Sequence, residues 1–395
     1  MAGYIFSVSK NLMSNVKEEN IKNGYFTPFT PEITEEEMVL EKSRKRKSIN
    51  KVLAATFADF VTMKAGDNVY FLSDRKIYGV GTLKNIGDDC KYDNYLNASM
   101  LLPNCRQRKL NYLTTENSRA RWVCFFEPGN HFMLNGVDMD DVLRYKPSSF
   151  KMLRAFEGLS FIKIDDEENR ALKEYLYIIN ESEISNSTGC LDFDDTLHIN
   201  LEKMVLDEYK MDINKALNDE DNKEFVISEM FIEAALLQRL SIGSESVFGN
   251  WDFLTHQLIA SPFKPLEYID KMDIYGYRFS ECYPDNPKLE SKYILIELKK
   301  GKINKAALEQ TMQYVDWVCK EYAYGDYSRI EAYLVGEDTV RNIDDIIKKY
   351  CQRNYIIETH PVKTSYWNNL HLVKYLISTH VDFQNIECND CNPTI

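Results

Sequence analysis

Tyr293-Ile-Leu-Ile-Glu-Leu-Lys-Lys300 reads as a strand that ends in charge. Side chains of a strand alternate between its faces, so Leu295, Glu297 and Lys299 share one face while Ile294, Ile296 and Leu298 share the other. A run this apolar belongs to a buried strand, where a carboxylate is costly unless it is paired or holds a cation. Glu297 and Lys299 therefore need a specific use.

Working outward, Tyr268–Tyr277 is a second strand-like run, and its Asp273 stands 24 positions before Glu297. Pro284-Asp-Asn-Pro287 separates the two runs, which predicts an antiparallel hairpin with a long polar tip. Asp270 and Asp273 fall on opposite faces of their strand, and Asp273 is taken as the one that faces Glu297. Downstream, Lys305–Glu321 has helical spacing, with Gln310 and Tyr314 one turn apart on one face. Upstream, Ser228–Leu240 is a strong helix former carrying Glu229 and Glu233 one turn apart. The order obtained is helix, two hairpin strands, helix, and a further strand over Arg329–Gly336.

These elements carry a resemblance. An Asp followed by Glu297-Leu-Lys299, then Gln310-x-x-x-Tyr314, with Ser228-Glu-x-x-Ile-Glu233 before them, is similar to the PD-(D/E)XK nuclease superfamily, in particular its NucS (EndoMS) type and more distantly the Shedu-type antiphage nucleases. The resemblance covers the C-terminal third to half of the chain; the Asp-to-Glu interval is longer here. It implies an α/β, restriction-endonuclease-like core that hydrolyses DNA phosphodiester bonds in antiphage defence or restriction, with DNA repair as the alternative role. It also implies Mg²⁺ or Mn²⁺ held by Asp273, Glu297, the Leu298 carbonyl and Glu229, with Glu233 in reserve for Glu229. Lys299 would stabilise charge or orient water, and Gln310 and Tyr314 would hold Lys299 or the scissile phosphate. A competing reading is a nucleic-acid sensor or scaffold that keeps the fold without turnover.

The formal net charge of −13 argues against chain-wide attraction to nucleic acid. Cations would have to act locally, and Lys42–Lys47, Arg106–Lys109, Arg119–Arg121 and Lys299, Lys300, Lys302 and Lys305 are the local runs. Nine cysteines without regular spacing fit reduced thiols; Cys388-Asn-Asp-Cys391 has zinc-like spacing, but zinc needs two more ligands and only His371 and His380 are near in sequence, so a frayed tail is the reading preferred. No apolar run approaches a membrane span and no basic-then-apolar leader opens the chain, so the expectation is a cytoplasmic protein with no membrane partner. A P-loop, a Gly-rich dinucleotide turn and a Ser/His/Asp set are missing from the sequence, which leaves ATP-driven and acyl-transfer readings unsupported.

The first part of the chain reads differently. Residues 1 to about 50 are polar and read as an arm or helix. Lys64–Leu72 and Lys76–Leu83 then form a hairpin, with further strands over Arg121–Phe126 and Leu159–Ile164. The glycines of Lys76-Ile-Tyr-Gly-Val-Gly stand where a barrel must bend. This pattern resembles the PUA-like barrels of the EVE and ASCH group, which implies a recognition domain taking a modified base or nucleotide. The aromatics Tyr70, Tyr78, Trp122, Phe125 and Phe126 read first as barrel core. Asp138 and Asp165 read as helix N-caps. The division expected is a barrel domain over 1–180, a linker and connecting helix over 181–222, the helix running from Leu201 to Leu217, and a nuclease domain over 223–395, in a chain that forms a homo-oligomer. Trp367–Ile377 is expected to be a closing helix.

Overall fold

The computed structural model describes residues 1–10, 16–28, 44–95, 121–129, 135–153, 161–186, 193–217, 227–260, 270–280 and 288–387. Arg106–Lys109, Arg119, Pro284–Pro287, Cys388–Cys391 and the start of the Lys42–Lys47 run lie outside the described residues. The chain divides into two compact units, Met1–Glu224 and Phe225–Ile395.

In the first unit, β1 (Gly3–Ser7), β2 (Tyr25–Phe26), β3 (Asn68–Ser73), β4 (Lys76–Leu83), β5 (Lys91–Asp93), β6 (Trp122–Pro128), β7 (Val137–Asp138) and β8 (Phe161–Ile164) form one sheet. Its order is β2-β6-β4-β3-β1-β8, with β5 on β6 and β7 on β4. Asp74 and Arg75, both at positive φ (52° and 61°), make the two-residue turn between β3 and β4, the handedness a twisted hairpin favours. Past it the register slips between Val69 and Phe71, opposite Gly79 at φ 69°, so one of the glycines singled out in the sequence does mark a bulge.

The N-terminus is not an arm. β1 runs parallel to β3 and antiparallel to β8, because Tyr4-Ile5-Phe6 is a short apolar run that the polar residues after it conceal. Phe6 stacks on Phe26 with ring centroids 4.3 Å apart, and Tyr70, Trp122, Phe125 and Phe126 are all buried, as core residues should be.

Helix α1 (Arg44–Val61) packs Leu53, Phe57 and Phe60 inward. Both acid caps appear: Asp138 accepts from the Asp140 N–H before α2 (Met139–Tyr145), and Asp165 accepts from the Glu168 N–H before α3 (Asp166–Ile179). The stretch read as a linker is, where described, part of the first unit. After α4 (Glu181–Ser185), α5 (Thr196–Glu202) buries His198 and Leu201. Leu201 and Tyr209 join a core cluster with Tyr25, Tyr92 and Phe125. The amphipathic helix expected from Leu201 to Leu217 is replaced by two single-turn segments, Asp207–Tyr209 and Ile213–Ala216. Tertiary bonding accounts for the break: Lys215 Nζ reaches the buried Asp93 Oδ2 at 2.7 Å and the Glu208 carbonyl at 3.0 Å.

The second unit opens with α6 (Glu229–Ser241) and continues through β9 (Phe253–Ile259), β10 (Lys271–Phe279), β11 (Glu290–Leu298), β12 (Lys302–Ile303), α7 (Lys305–Glu321), β13 (Ile330–Gly336), β14 (Asp338–Thr339), α8 (Ile343–Tyr350), β15 (Arg353–Thr359), β16 (Val362–Trp367), β17 (Leu370–Ile377) and β18 (Val381–Asn385). Six strands form its main sheet in the order β18-β17-β13-β11-β10-β9. β9, β10 and β11 are successive antiparallel neighbours, and α7 carries the chain from β11 to its parallel neighbour β13. This is a mixed α/β sheet. Trp367–Ile377 is not a helix: Leu370, Leu372 and Val373 are buried in a parallel ladder with β13, and that neighbour outweighs the helical spacing of the same residues.

Gly276 sets how closely β10 and β9 approach. A Cβ there would stand 2.4 Å from the Phe253 carbonyl oxygen and 2.8 Å from Leu254. Gly276→Ala is expected to destabilise the second unit by about 1–3 kcal/mol, the usual effect of forcing an extra methyl into a packed region. A urea unfolding midpoint equal to wild type would show that the strands can separate without loss.

Candidate active site

Helix α6 starts at Ser228, whose hydroxyl accepts from the Phe231 N–H at 3.2 Å. Met230, Phe231, Ile232, Ala234, Leu236 and Leu237 are all buried, so the helix is enclosed on nearly every side. Glu233 is carried inside with them, 1% exposed. Glu229, one turn earlier, stays exposed and accepts from the Lys300 N–H at 2.8 Å, which ties the helix start to the backbone just after β11.

Strand register assembles the rest. The β10–β11 ladder ends at Ile274 and Ile296, so Asp273 and Glu297 are the next residues beyond its end and adjoin each other there. On the other side Met272 pairs with Leu258 and Ile274 with His256, which brackets Asp273 against Gln257. Gln257, Asp273 and Glu297 thus form a row across β9, β10 and β11. Asp270 lies just before β10, where its carbonyl accepts from the Ala260 N–H at 2.8 Å.

Hydrogen bonds fix this row. Asp273 Oδ2 accepts from the Leu298 N–H at 2.7 Å and its Oδ1 from Gln257 Nε2 at 3.3 Å. Lys299 Nζ donates to Glu297 Oε1 at 2.6 Å. Glu297 Oε2 is buried and has no hydrogen-bond partner among the described residues, although burying an unsatisfied carboxylate oxygen is unfavourable. Glu233 is held by both members of a neighbouring pair: His256 Nδ1 lies 2.9 Å from its Oε1, and Gln257 Nε2 donates to its Oε2 at 3.0 Å.

The electrostatics follow from burial. Asp273 is pushed well above the usual carboxylate range, first by desolvation and then by the charges of Glu297 and Glu233. Glu297 is also raised by desolvation, with Lys299 pulling the other way. Burial works against the charge of Lys299, but Glu297 more than compensates and its pKa rises. Lys299 is therefore an ammonium at neutral pH, suited to stabilising negative charge and unable to accept a proton.

Gln310 and Tyr314 act at one remove. Gln310 Nε2 donates to the Tyr314 hydroxyl at 2.8 Å, and that hydroxyl donates to the Lys271 carbonyl at 3.2 Å. They pin α7 to β10 two residues before Asp273 rather than holding Lys299. His256 and Gln257 are the residues the sequence reading missed. Their signal was weak: one of only six histidines, beside a glutamine, inside an otherwise apolar strand.

Among the described residues, no group of three or more His, Cys, Asp or Glu side chains is gathered so that it could hold a metal ion. A cation at this site would rest on two carboxylates, Asp273 and Glu297, and complete its shell from the Leu298 carbonyl and water. The orphaned Oε2 of Glu297 and the hard oxygen donors fit Mg²⁺ or Mn²⁺ in that arrangement. Both oxygens of Glu233 are engaged by His256 and Gln257, and one oxygen of Glu229 by the Lys300 N–H. Among the described residues no helix is long and apolar enough to cross a membrane. No protein-family model matches the chain, and no curated protein matches it.

The raised Asp273 has a consequence for stability. In the folded state it keeps its proton to a higher pH than in the unfolded chain, so the folded state binds more protons within that window and stability falls as pH rises through it. Metal-free protein is expected to lose stability from about pH 4, the ordinary carboxylate range, toward neutral and above. Asp273→Asn, which cannot ionise, should flatten this slope in EDTA whatever its effect on the melting temperature at any one pH. An unchanged slope in thermal melts of the variant would contradict the assignment.

Proposed function

We propose that the second unit is a divalent-cation-dependent nuclease that hydrolyses DNA phosphodiester bonds, built on the PD-(D/E)XK plan. The observation that carries this reading is the pair Asp273 and Glu297 on neighbouring strands, Asp273 half-buried and Glu297 buried, with Glu297 Oε2 unsatisfied among the described residues and the Lys299 ammonium 2.6 Å from the other oxygen. The order of helix, three antiparallel strands, crossover helix and parallel strand supports it.

A bound Mg²⁺ or Mn²⁺ would activate water and neutralise charge developing on the phosphoryl oxygens. The chain's own residues do the rest. Asp273 and Glu297 are raised in pKa because they are desolvated near like charge, so each prefers a cation to a bare anionic state. The Leu298 N–H and Gln257 set the orientation of Asp273. Lys299 offers a positive charge where the attacked phosphate gains negative charge. Gln310 and Tyr314 keep β10 in register with the site through the Lys271 carbonyl. Lys300 and Lys302 follow directly, next to where a phosphate backbone would approach.

For the first unit the reading is recognition of the substrate, including a modified base or nucleotide. Tyr70, Trp122, Phe125 and Phe126 are buried in the core, so recognition there would use other side chains.

Supercoiled and linear DNA incubated with purified protein should be cut in Mg²⁺ or Mn²⁺ and not in EDTA. Glu297→Ala should remove activity by at least roughly 10³-fold and Lys299→Ala by a similar factor, whereas Gln310→Ala, which removes one supporting hydrogen bond, should cost about tenfold. No metal-dependent cleavage of any DNA or RNA would favour a nucleic-acid sensor that keeps the fold without turnover.

A further inference from the structure

The local geometry of β9 is irregular where it faces the site. Gln257 sits at φ 53°, in the left-handed region that residues other than glycine rarely occupy, within a strand whose other pairings with β10 are regular. In a regular strand His256 and Gln257 would point to opposite faces. Here both reach the same carboxylate: His256 Nδ1 is 2.9 Å from Glu233 Oε1 and Gln257 Nε2 is 3.0 Å from Glu233 Oε2. The left-handed residue is what allows this. Backbone strain of this kind persists where the surroundings demand a side chain in one place.

The amide of Gln257 does more than satisfy Glu233. The same Nε2 lies 3.3 Å from Asp273 Oδ1, so the two amide hydrogens serve two carboxylates that otherwise repel. As placed, the amide nitrogen donates to Glu233 Oε2, a bond that its carbonyl oxygen could not make to a carboxylate. A glutamate at this position would add a third negative charge, and a methionine would fill the space with no donor.

We propose that Gln257 is the positioning residue of the site: its side-chain NH₂ bridges Glu233 to Asp273 and so fixes the carboxylate on which cation binding depends. Together with the Leu298 N–H on Oδ2, the bridge holds both oxygens of Asp273 and leaves its carboxylate one orientation in the row with Glu297. The bridge itself stands on metal-free geometry, and its effect on the cation rests on the nuclease reading above.

Two measurements on the full chain separate these parts. In EDTA, the melting temperatures of Gln257→Met, Asp273→Ala and the double variant should be non-additive, Gln257→Met lowering the melting temperature less once Asp273 is gone. Additive shifts would overturn the bridge. Titration calorimetry with Mn²⁺ should show about tenfold weaker binding to Gln257→Met than to wild type, the size expected when a group orienting a ligand is lost. Gln257→Gly, which relaxes the backbone but lacks the amide, should bind Mn²⁺ as weakly as the Met variant. Wild-type affinity in either variant would overturn the positioning role. Absence of Mn²⁺ binding to wild type would instead sink the metal-site reading, and the melting data alone would then decide the bridge.

Discussion

Asp273 and Glu297 adjoin each other on adjacent antiparallel strands, Asp273 half-buried and Glu297 buried. Two carboxylates in that position lose hydration and repel one another, so the surrounding structure must supply compensation. Much of the second unit does so. β11 delivers the Leu298 N–H and the Lys299 ammonium, α6 brings Glu233 into contact with β9, and α7 holds β10 through the Tyr314 hydroxyl. A shift of one residue between β10 and β11 would turn Asp273 to the opposite face and undo all of these at once.

That arrangement trades stability for a prepared site. Raised carboxylates, an unsatisfied buried oxygen and a left-handed glutamine are each unfavourable in isolation. Here all three meet on three neighbouring strands, whereas Ile294, Ile296, Leu334 and Val335 beside them pack as ordinary sheet core. Such a meeting of strain and perturbed titration is consistent with the proposed site.

The elements of the second unit were readable where local pattern and tertiary environment agree. Glu297 was legible because a carboxylate at the end of an apolar, alternating run is too costly to bury without a partner or a cation, and α7 because its buried face repeats every turn. Trp367–Ile377 misled, since Leu370, Leu372 and Val373 suit a helix as well as a strand until β13 is known to lie beside them. The N-terminal strand was hidden for a similar reason: Tyr4-Ile5-Phe6 is too short to show a period, and its role comes from β3 and β8. Gln257 could not be found from sequence, because its importance lies in a backbone conformation and in two carboxylates from other elements. Glu229 and Gln310 make bonds to the Lys300 N–H and to Tyr314, which the linear motif does not specify.

The central claim is that Asp273 and Glu297 form one cation site, and the direct measurement is anomalous diffraction from crystals grown with Mn²⁺. The account predicts a single anomalous peak between the two carboxylates, about 2.1–2.2 Å from Glu297 Oε2 and from an Asp273 oxygen. A peak elsewhere, or none at saturating Mn²⁺, would contradict it.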